Sequence, residues 1–179
     1  MRLNQHKDCV EFTERYPIHT TIYPEWKTLN PKLEGAIRTA GDAQQYRTNV
    51  QAFMTEWNMW DDANPGAKYF QEVCAFACDV SVEQSPVEFR PVVTNCWGAI
   101  YKRSEYTKTH NHWPAVWSFT YYVKVGEGAA PIAFPTAGKA VFPQNGTLCL
   151  FPGWVDHSVP PHDSDDERIM VAGNIAFSV

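Results

Sequence analysis

The sequence predicts a mainly β protein in which a few helices precede a sandwich or jelly roll. Two observations support this prediction. From about Val92 onward, short runs of β-branched and aromatic residues follow one another closely and are separated by turn signals. Before that point, apolar residues recur at helical spacing instead. Because the strands follow the helices rather than alternating with them, the pattern disfavours a parallel α/β sheet.

Two helices are predicted in the first half of the chain. The first begins at Asn30 as N-cap, has Pro31 as its first helical residue, and ends before Gly41. The second follows Asn64 and Pro65, and its apolar residues fall at i, i+3, i+4, i+7 and i+8. These residues are Phe70, Val73, Cys74, Ala77 and Cys78. Such a stripe is typical of a helix that covers one face of a sheet.

Strands are predicted throughout the second half. The strand at 116–125 alternates regularly, with apolar and aromatic side chains on one face and Ser118, Thr120 and Tyr122 on the other. The last strand places Arg168 and Asn174 among small residues on one face and an apolar set on the other. The predicted strands are 92–101, 116–125, 131–134, 139–142, 147–151 and 168–177. Two polar faces in opposed sheets would line a cavity.

Length and composition predict a single ordered domain. The chain has 179 residues, of which 44% are hydrophobic and 20% are charged. This is enough apolar material for a core without disulfides. We expect residues 1–91 to form a helical and aromatic support region. Residues 92–179 are expected to form the jelly-roll core with the functional site.

Charge and hydropathy narrow the class of partner. The net charge of −5 argues against general electrostatic binding to nucleic acid or to an anionic membrane. No apolar run has the length of a membrane span, and the polar N-terminus lacks the apolar stretch of a signal peptide. The five cysteines form no tight framework and are expected to be buried thiols. These features predict a soluble, cytoplasmic protein.

Three of the six histidines predict a metal site. His110 and His112 flank a single residue, so their side chains point the same way on an extended segment. His157 follows after several predicted strands, which allows the chain to return to the same place. Neutral imidazoles are usual ligands of a transition metal such as iron, and three of them leave positions for substrate and oxygen.

Arg168 follows the last of these histidines and predicts an anion site beside the metal. A guanidinium can hold a carboxylate through two parallel hydrogen bonds. Arg168 also lies on the face of the last strand that is predicted to line the cavity. Together with the histidines it predicts a mononuclear iron site with an organic-acid co-substrate.

Three segments carry a family resemblance. They are H-N-H-W-P-A-V-W-S-F-T-Y-Y-V from His110, G-T-L-C-L-F-P-G-W-V-D-H-S-V-P-P from Gly146, and E-R-I-M-V-A-G-N-I-A-F from Glu167. In order and spacing they resemble a group of 2-oxoglutarate- and iron(II)-dependent oxygenases that occur in bacteria and bacteriophages. The resemblance covers roughly Val92 to Val179. It implies a cupin-like jelly roll, the double-stranded β-helix, with iron at its open end.

The resemblance also implies roles for individual residues. His157 would be the distal iron ligand, and Arg168 would bind the distal carboxylate of 2-oxoglutarate. Tyr122 and Asn95 would help to seat this co-substrate. Ser118 and Asn174, on the predicted cavity-facing strands, complete the expected co-substrate site.

One ligand position departs from the wider superfamily. Most such oxygenases have an Asp or Glu two residues after the first histidine, whereas this chain has His112. We therefore predict that His110, His112 and His157 form a three-histidine face. Asp156 is the alternative source of a carboxylate, although on an extended segment it would point away from His157.

These features predict a 2-oxoglutarate- and Fe(II)-dependent dioxygenase that uses O₂ to hydroxylate a small molecule or a peptide. One alternative is a cupin-like dioxygenase or isomerase that does not use 2-oxoglutarate. Another is a non-enzymatic β-sandwich binding module, which failure to bind any divalent metal would favour. If phage-encoded, the protein would act in the host cytoplasm. The sequence leaves homo-oligomerisation open.

Overall fold

Two antiparallel sheets and two helices make up the described part of the protein. The computed structural model describes residues 15–41 and 49–178. The helices are α1 (Trp26–Ala40) and α2 (Ala67–Gln84), and a short 3-10 turn spans Pro135–Ala137. The strands are β1 (His19–Ile22), β2 (Val50–Gln51), β3 (Phe53–Met54), β4 (Arg90–Tyr101), β5 (Tyr106–His110), β6 (Trp117–Lys124), β7 (Ile132–Phe134), β8 (Lys139–Val141), β9 (Thr147–Pro152), β10 (His157–Val159) and β11 (Arg168–Ser178).

The larger sheet has six strands in the order β1-β9-β6-β11-β4-β3, and the smaller has five in the order β2-β5-β10-β7-β8. Buried side chains from both sheets form one core between them, and the two helices pack on the outer face of the larger sheet. The predicted mainly β fold with two leading helices is confirmed. None of the described helices is long and apolar enough to span a membrane.

The two faces of β11 serve two different cores, as its alternation predicted. Ile169, Val171 and Ile175 pack with the helices. Met170 and Ala172 pack between the sheets. Arg168 shares the parity of this second set, so its side chain is directed into the space between the sheets.

Helix α1 begins at Trp26 rather than at Asn30, so Pro31 lies inside it and the predicted N-cap is wrong. The reason is that Asn30 uses its side chain for a tertiary contact. Its Nδ2 donates to the carbonyl oxygen of Val123 at 2.6 Å, and its Oδ1 accepts from the Tyr121 hydroxyl at 2.6 Å. Asn30 therefore anchors α1 to the central strand β6.

Helix α2 begins at Ala67, after Gly66 in a left-handed conformation with φ 78°. The N-cap residue is Gly66 rather than Asn64, whose amide donates to the carbonyls of Asn58 and Asp61. The predicted apolar stripe is buried except for Cys78, which is half-buried. Among the other cysteines, Cys74, Cys96 and Cys149 are buried as predicted, and Cys9 lies outside the described residues.

The N-terminal region also contributes strands to both sheets. β1 pairs with β9, β3 pairs with β4, and β2 pairs with β5. These strands are two to four residues long, too short for a period-two pattern to stand out in the sequence. The strands β5 and β10, which carry two of the histidines, are not predicted from the sequence, because β5 (Y-T-K-T-H) has no aliphatic residue to mark a buried face and β10 has only three residues.

Candidate active site

The three predicted histidines converge beside the core between the sheets. His110 ends β5, His157 begins β10, and the two residues are paired directly across these neighbouring strands. His112 follows in the loop after β5. One ligand nitrogen from each imidazole lies within 4.8 Å of the others, and the ring centroids are 4.4, 4.8 and 5.0 Å apart. The arrangement brings three nitrogen donors to one point.

Hydrogen bonds set the protonation pattern of two of these rings. The Nδ1 atom of His110 lies 2.8 Å from the Lys108 carbonyl oxygen, and that of His157 lies 3.0 Å from the Val155 carbonyl oxygen. A carbonyl oxygen can only accept, so each Nδ1 carries the proton. The Nε2 lone pairs of both rings are then available to a metal.

Burial keeps the three imidazoles neutral. Burial, together with repulsion between the rings, lowers the pKa of His112 to about 3 and that of His157 to about 4. Burial also lowers the pKa of His110. Because a neutral imidazole is the form that binds a metal, the cluster is competent as a ligand set at pH 7.

Gly153 holds the two histidine loops together. Its carbonyl oxygen accepts from the His112 backbone N–H at 2.7 Å, and its own N–H donates to the Val116 carbonyl at 3.0 Å. A Cβ atom at this position would lie 2.2 Å from the Ala115 carbonyl oxygen. No side chain is compatible with this approach, so the glycine in F-P-G-W-V-D-H fixes the position of the ligand loops.

A side-chain bond makes a second link between these loops. Asn111, between His110 and His112, donates from its Nδ2 to Oδ1 of Asp156 at 2.9 Å. The Asp156 carboxylate is therefore engaged with Asn111 and is not among the converging ligand atoms. The geometry favours three histidines over the alternative set that includes Asp156.

Asp156→Ala is expected to lower metal affinity by about 10- to 100-fold, because groups that position metal ligands have effects of this size. Competition with a colorimetric Fe(II) chelator measures the change. Asp156→Asn keeps an accepting oxygen and removes the charge, so it separates the hydrogen bond from electrostatics. Asp163→Ala, in an exposed acid, is the control. Unchanged affinity in Asp156→Ala would rule out a positioning role.

Arg168 is buried, and no acidic side chain of the described residues pairs with it. Its side chain is 0% exposed. The guanidinium lies between two rings, 4.8 Å from the Tyr101 centroid and 5.0 Å from that of Tyr122. Nη2 donates to the Tyr122 hydroxyl at 3.4 Å, whereas Nε and Nη1 have no hydrogen-bond partner among the described residues. An unpaired buried cation is costly, so these atoms fit an anionic ligand.

Arg168 and the three histidines line the same cavity. The cation therefore faces the space into which the ligand nitrogens project. A carboxylate held by Arg168 and a metal held by the histidines would share this space. The donor set thus fits both Fe(II) and an organic acid with a second carboxylate.

Tyr101 belongs to this site, although sequence reasoning did not find it. It pairs with Arg168 across β4 and β11, and its hydroxyl shares a 2.7 Å hydrogen bond with Oγ1 of Thr107. Burial raises the pKa of Tyr101 and raises that of Tyr122 to about 12. Both hydroxyls therefore stay protonated at neutral pH. The only signal for Tyr101 is the strand register, which the sequence does not reveal.

Asn95, Ser118 and Asn174 do not lie beside Arg168, contrary to their predicted place in the co-substrate site. They form their own chain, in which Ser118 Oγ donates to Asn174 Oδ1 and Asn174 Nδ2 donates to Asn95 Oδ1, each at 2.7 Å. Asn174 shares the face of Arg168 but lies about 20 Å further along β11, at roughly 3.3 Å per residue. Asn174 therefore lies on the predicted face of β11, but the distance along the strand keeps it away from Arg168.

A family match covers part of this site. Residues 133–174 match the model of a family described as "Putative 2OG-Fe(II) oxygenase". The matched segment contains His157 and Arg168. The prediction of a 2-oxoglutarate- and Fe(II)-dependent oxygenase is confirmed. Fe(II) and 2-oxoglutarate are thus its cofactor and co-substrate.

Solved structures show the same fold at low sequence identity. A viral collagen prolyl hydroxylase from Paramecium Bursaria Chlorella virus-1, in complex with 2OG, is 14% identical over 90% of this chain and 96% of its own, with a TM-score of 0.69. A Pseudomonas putida prolyl-4-hydroxylase is 16% identical over 92% and 94%, with a TM-score of 0.65. The predicted double-stranded β-helix is confirmed. Among curated proteins, no relative is detected.

A third solved structure contains a peptide. It is a prolyl hydroxylase from Trichoplax adhaerens in complex with a hypoxia inducible factor oxygen degradation domain peptide fragment. It is 14% identical over 88% of this chain and 83% of its own, with a TM-score of 0.62.

Proposed function

We propose that the protein is a hydroxylase in which His110, His112 and His157 hold Fe(II) and Arg168 binds the distal carboxylate of 2-oxoglutarate. The observation that carries this assignment is the buried guanidinium, which has no anionic partner within residues 15–41 and 49–178 and faces the cavity of the histidines. A site without an anionic ligand would leave this charge uncompensated.

Bound Fe(II), with 2-oxoglutarate and O₂, would supply oxidative decarboxylation of the co-substrate coupled to hydroxylation of a C–H bond. The side chains of this protein bind and orient. The neutral imidazoles offer lone pairs, and Arg168 fixes the orientation of the co-substrate through charge-assisted hydrogen bonds. Aromatic and apolar side chains, those of Trp97, Phe151 and Met170, line the same cavity and would limit the access of water to it.

A peptide is the substrate class that we favour within this function. Three neighbours in fold are prolyl hydroxylases, and one of them is in complex with a peptide fragment. By this likeness we propose a peptidyl, prolyl-type hydroxylation rather than hydroxylation of a free small molecule.

One observation favours a second candidate function. The three-histidine face lacks the carboxylate of the usual facial triad, and this suits a cupin-like dioxygenase that does not use 2-oxoglutarate. Arg168 argues for the first candidate, because it supplies a binding site for a remote carboxylate.

Turnover with synthetic proline-containing peptides tests the proposal. Succinate release that requires Fe(II), 2-oxoglutarate and peptide together is the expected result. Turnover of an organic substrate by the iron-loaded protein without 2-oxoglutarate would instead establish the second candidate.

Tyr122→Phe is expected to weaken 2-oxoglutarate binding by roughly three- to tenfold, because it removes one hydrogen bond to Arg168 and keeps the ring. Tyr121→Phe is a matched control on the opposite face of β6, where the hydroxyl contacts Asn30. That variant should lose stability and retain co-substrate affinity. Calorimetric titration of both variants measures the difference, and equal affinities would show that the Tyr122 hydroxyl plays no part.

A further inference from the structure

A second cavity, of about 470 Å³, shares His112 with the cavity of Arg168. It is open to the outside and reaches the histidine cluster from that side. Its walls carry indoles, amides and a hydroxyl, and none of the lining side chains in residues 15–41 and 49–178 is an acid, a lysine or an arginine. The walls include Trp57, Thr94, Asn95, Asn111, Trp113 and Asn174.

A β-bulge shapes one wall of this cavity. Asn174 of β11 pairs with Asn95, but the next residue, Ile175, pairs with Val93, so Thr94 is the extra residue in β4. A bulge redirects side chains and interrupts regular pairing. Here consecutive residues, Thr94 and Asn95, both line the cavity.

Beside the same cavity, part of the outer edge of β4 is not paired with any described strand. The segment from Trp57 to Met59 runs along that edge, where Cys96 N–H donates to the Trp57 carbonyl at 2.8 Å and Met59 N–H donates to the Cys96 carbonyl at 2.9 Å. From Asn95 back to Arg90, no strand of residues 15–41 and 49–178 pairs with β4 on this side. The unpaired part of this edge therefore begins at Asn95, and both Asn95 and Trp57 line the cavity.

We infer that this cavity receives the acceptor substrate as an extended, uncharged peptide segment that pairs with the open edge of β4 next to Thr94. An open strand edge presents backbone donors and acceptors in the spacing of a peptide. The side-chain amides of Asn95 and Asn111 also offer hydrogen-bond donors and acceptors. The inference deepens the proposed function and rests on it, because the cavity leads to the metal ligand His112.

The chemistry of the walls excludes other acceptors. A nucleic acid needs cations for its phosphates, and no Lys or Arg of the described part of the chain lines the cavity. A charged organic acid would find no counter-ion there. Trp113 is 74% exposed at the rim, where its indole can cover a proline ring or an aliphatic side chain of the peptide.

Selection from a peptide library tests the inference. Capped peptides about ten residues long, ~33 Å when extended, would carry a central proline flanked by randomised residues, either uncharged or charged. Immobilised protein loaded with Zn(II), which is redox-inert, and 2-oxoglutarate would retain uncharged members preferentially. A retained peptide would then be titrated into ¹⁵N-labelled protein, with shifts expected at Thr94, Asn95 and the Trp113 indole.

Two comparisons distinguish pairing of the peptide with the strand edge from nonspecific hydrophobic binding. N-methylation of alternate backbone amides in the retained peptide should weaken binding by about tenfold or more, because it removes several backbone hydrogen bonds. Trp113→Ala should weaken binding as well, whereas Phe142→Ala, in an aromatic that is 75% exposed elsewhere, should not.

Other results would overturn the inference. They are retention of charged peptides as readily as uncharged ones, equal binding of the N-methylated peptide, and shifts confined to residues outside the cavity. The titration is repeated on metal-free protein. If the cavity binds the peptide but the protein does not bind Fe(II) and 2-oxoglutarate, the proposed function is refuted and the peptide site is retained.

Discussion

Arg168→Met is expected to reduce 2-oxoglutarate affinity by roughly 100-fold or more while the protein still binds Fe(II). The variant loses charge-assisted hydrogen bonds of about 1.5–3 kcal/mol each, and the histidines are untouched. Calorimetric titration of the Mn(II)-loaded protein with 2-oxoglutarate measures the affinity, and chelator competition measures the metal.

The same substitution is expected to increase the stability of the ligand-free protein. Arg168 is buried, and the described part of the chain provides no anion for it, so replacing it by an apolar side chain of similar length should raise the melting temperature of the ligand-free protein. Arg103→Met is the control, because the Arg103 guanidinium is paired at the surface with Asp163 and Asp165. A destabilised Arg168→Met variant with normal co-substrate affinity would show that Arg168 is structural.

His157→Ala is expected to lose Fe(II) binding by at least about 100-fold, since removing a ligand exceeds the effect of removing a group that positions one. Metal raises the melting temperature of the wild type, because a ligand at 100 times its Kd stabilises by about 2.7 kcal/mol. This increase should vanish in the variant. His19→Ala, in a half-buried histidine outside the cluster, should keep it. An undiminished increase in His157→Ala would place the metal elsewhere.

Most of what could be predicted about the site came from the alternation of side chains between the two faces of each strand. On β11 the parity of Arg168 relative to Ile169 and Val171 placed the guanidinium between the sheets. The H-x-H spacing indicated that His110 and His112 point in one direction, whereas their meeting with His157 depends on the pairing of β5 and β10. The parity and the spacing depend on local periodicity, which a sequence displays.

Features that depend on register were not predictable. Tyr101 meets Arg168 only because β4 and β11 pair in one particular register, and a shift by one residue would turn Tyr101 away. Ser118 and Asn174 had the expected parity but lie far along their strands from Arg168. Asn30 has the residue type and position of a helix cap. Its side chain instead donates to backbone carbonyls of β6, which is distant in sequence.

The most direct test of the site is an anaerobic titration of the Fe(II)-loaded protein with 2-oxoglutarate, followed by visible absorption. Chelation of Fe(II) by 2-oxoglutarate produces a charge-transfer band. Simultaneous binding of both at the histidines and Arg168 predicts a band that saturates at one equivalent and weakens in Arg168→Met. Bound iron without a band would contradict the co-substrate assignment, and failure to bind iron would contradict the metal site itself.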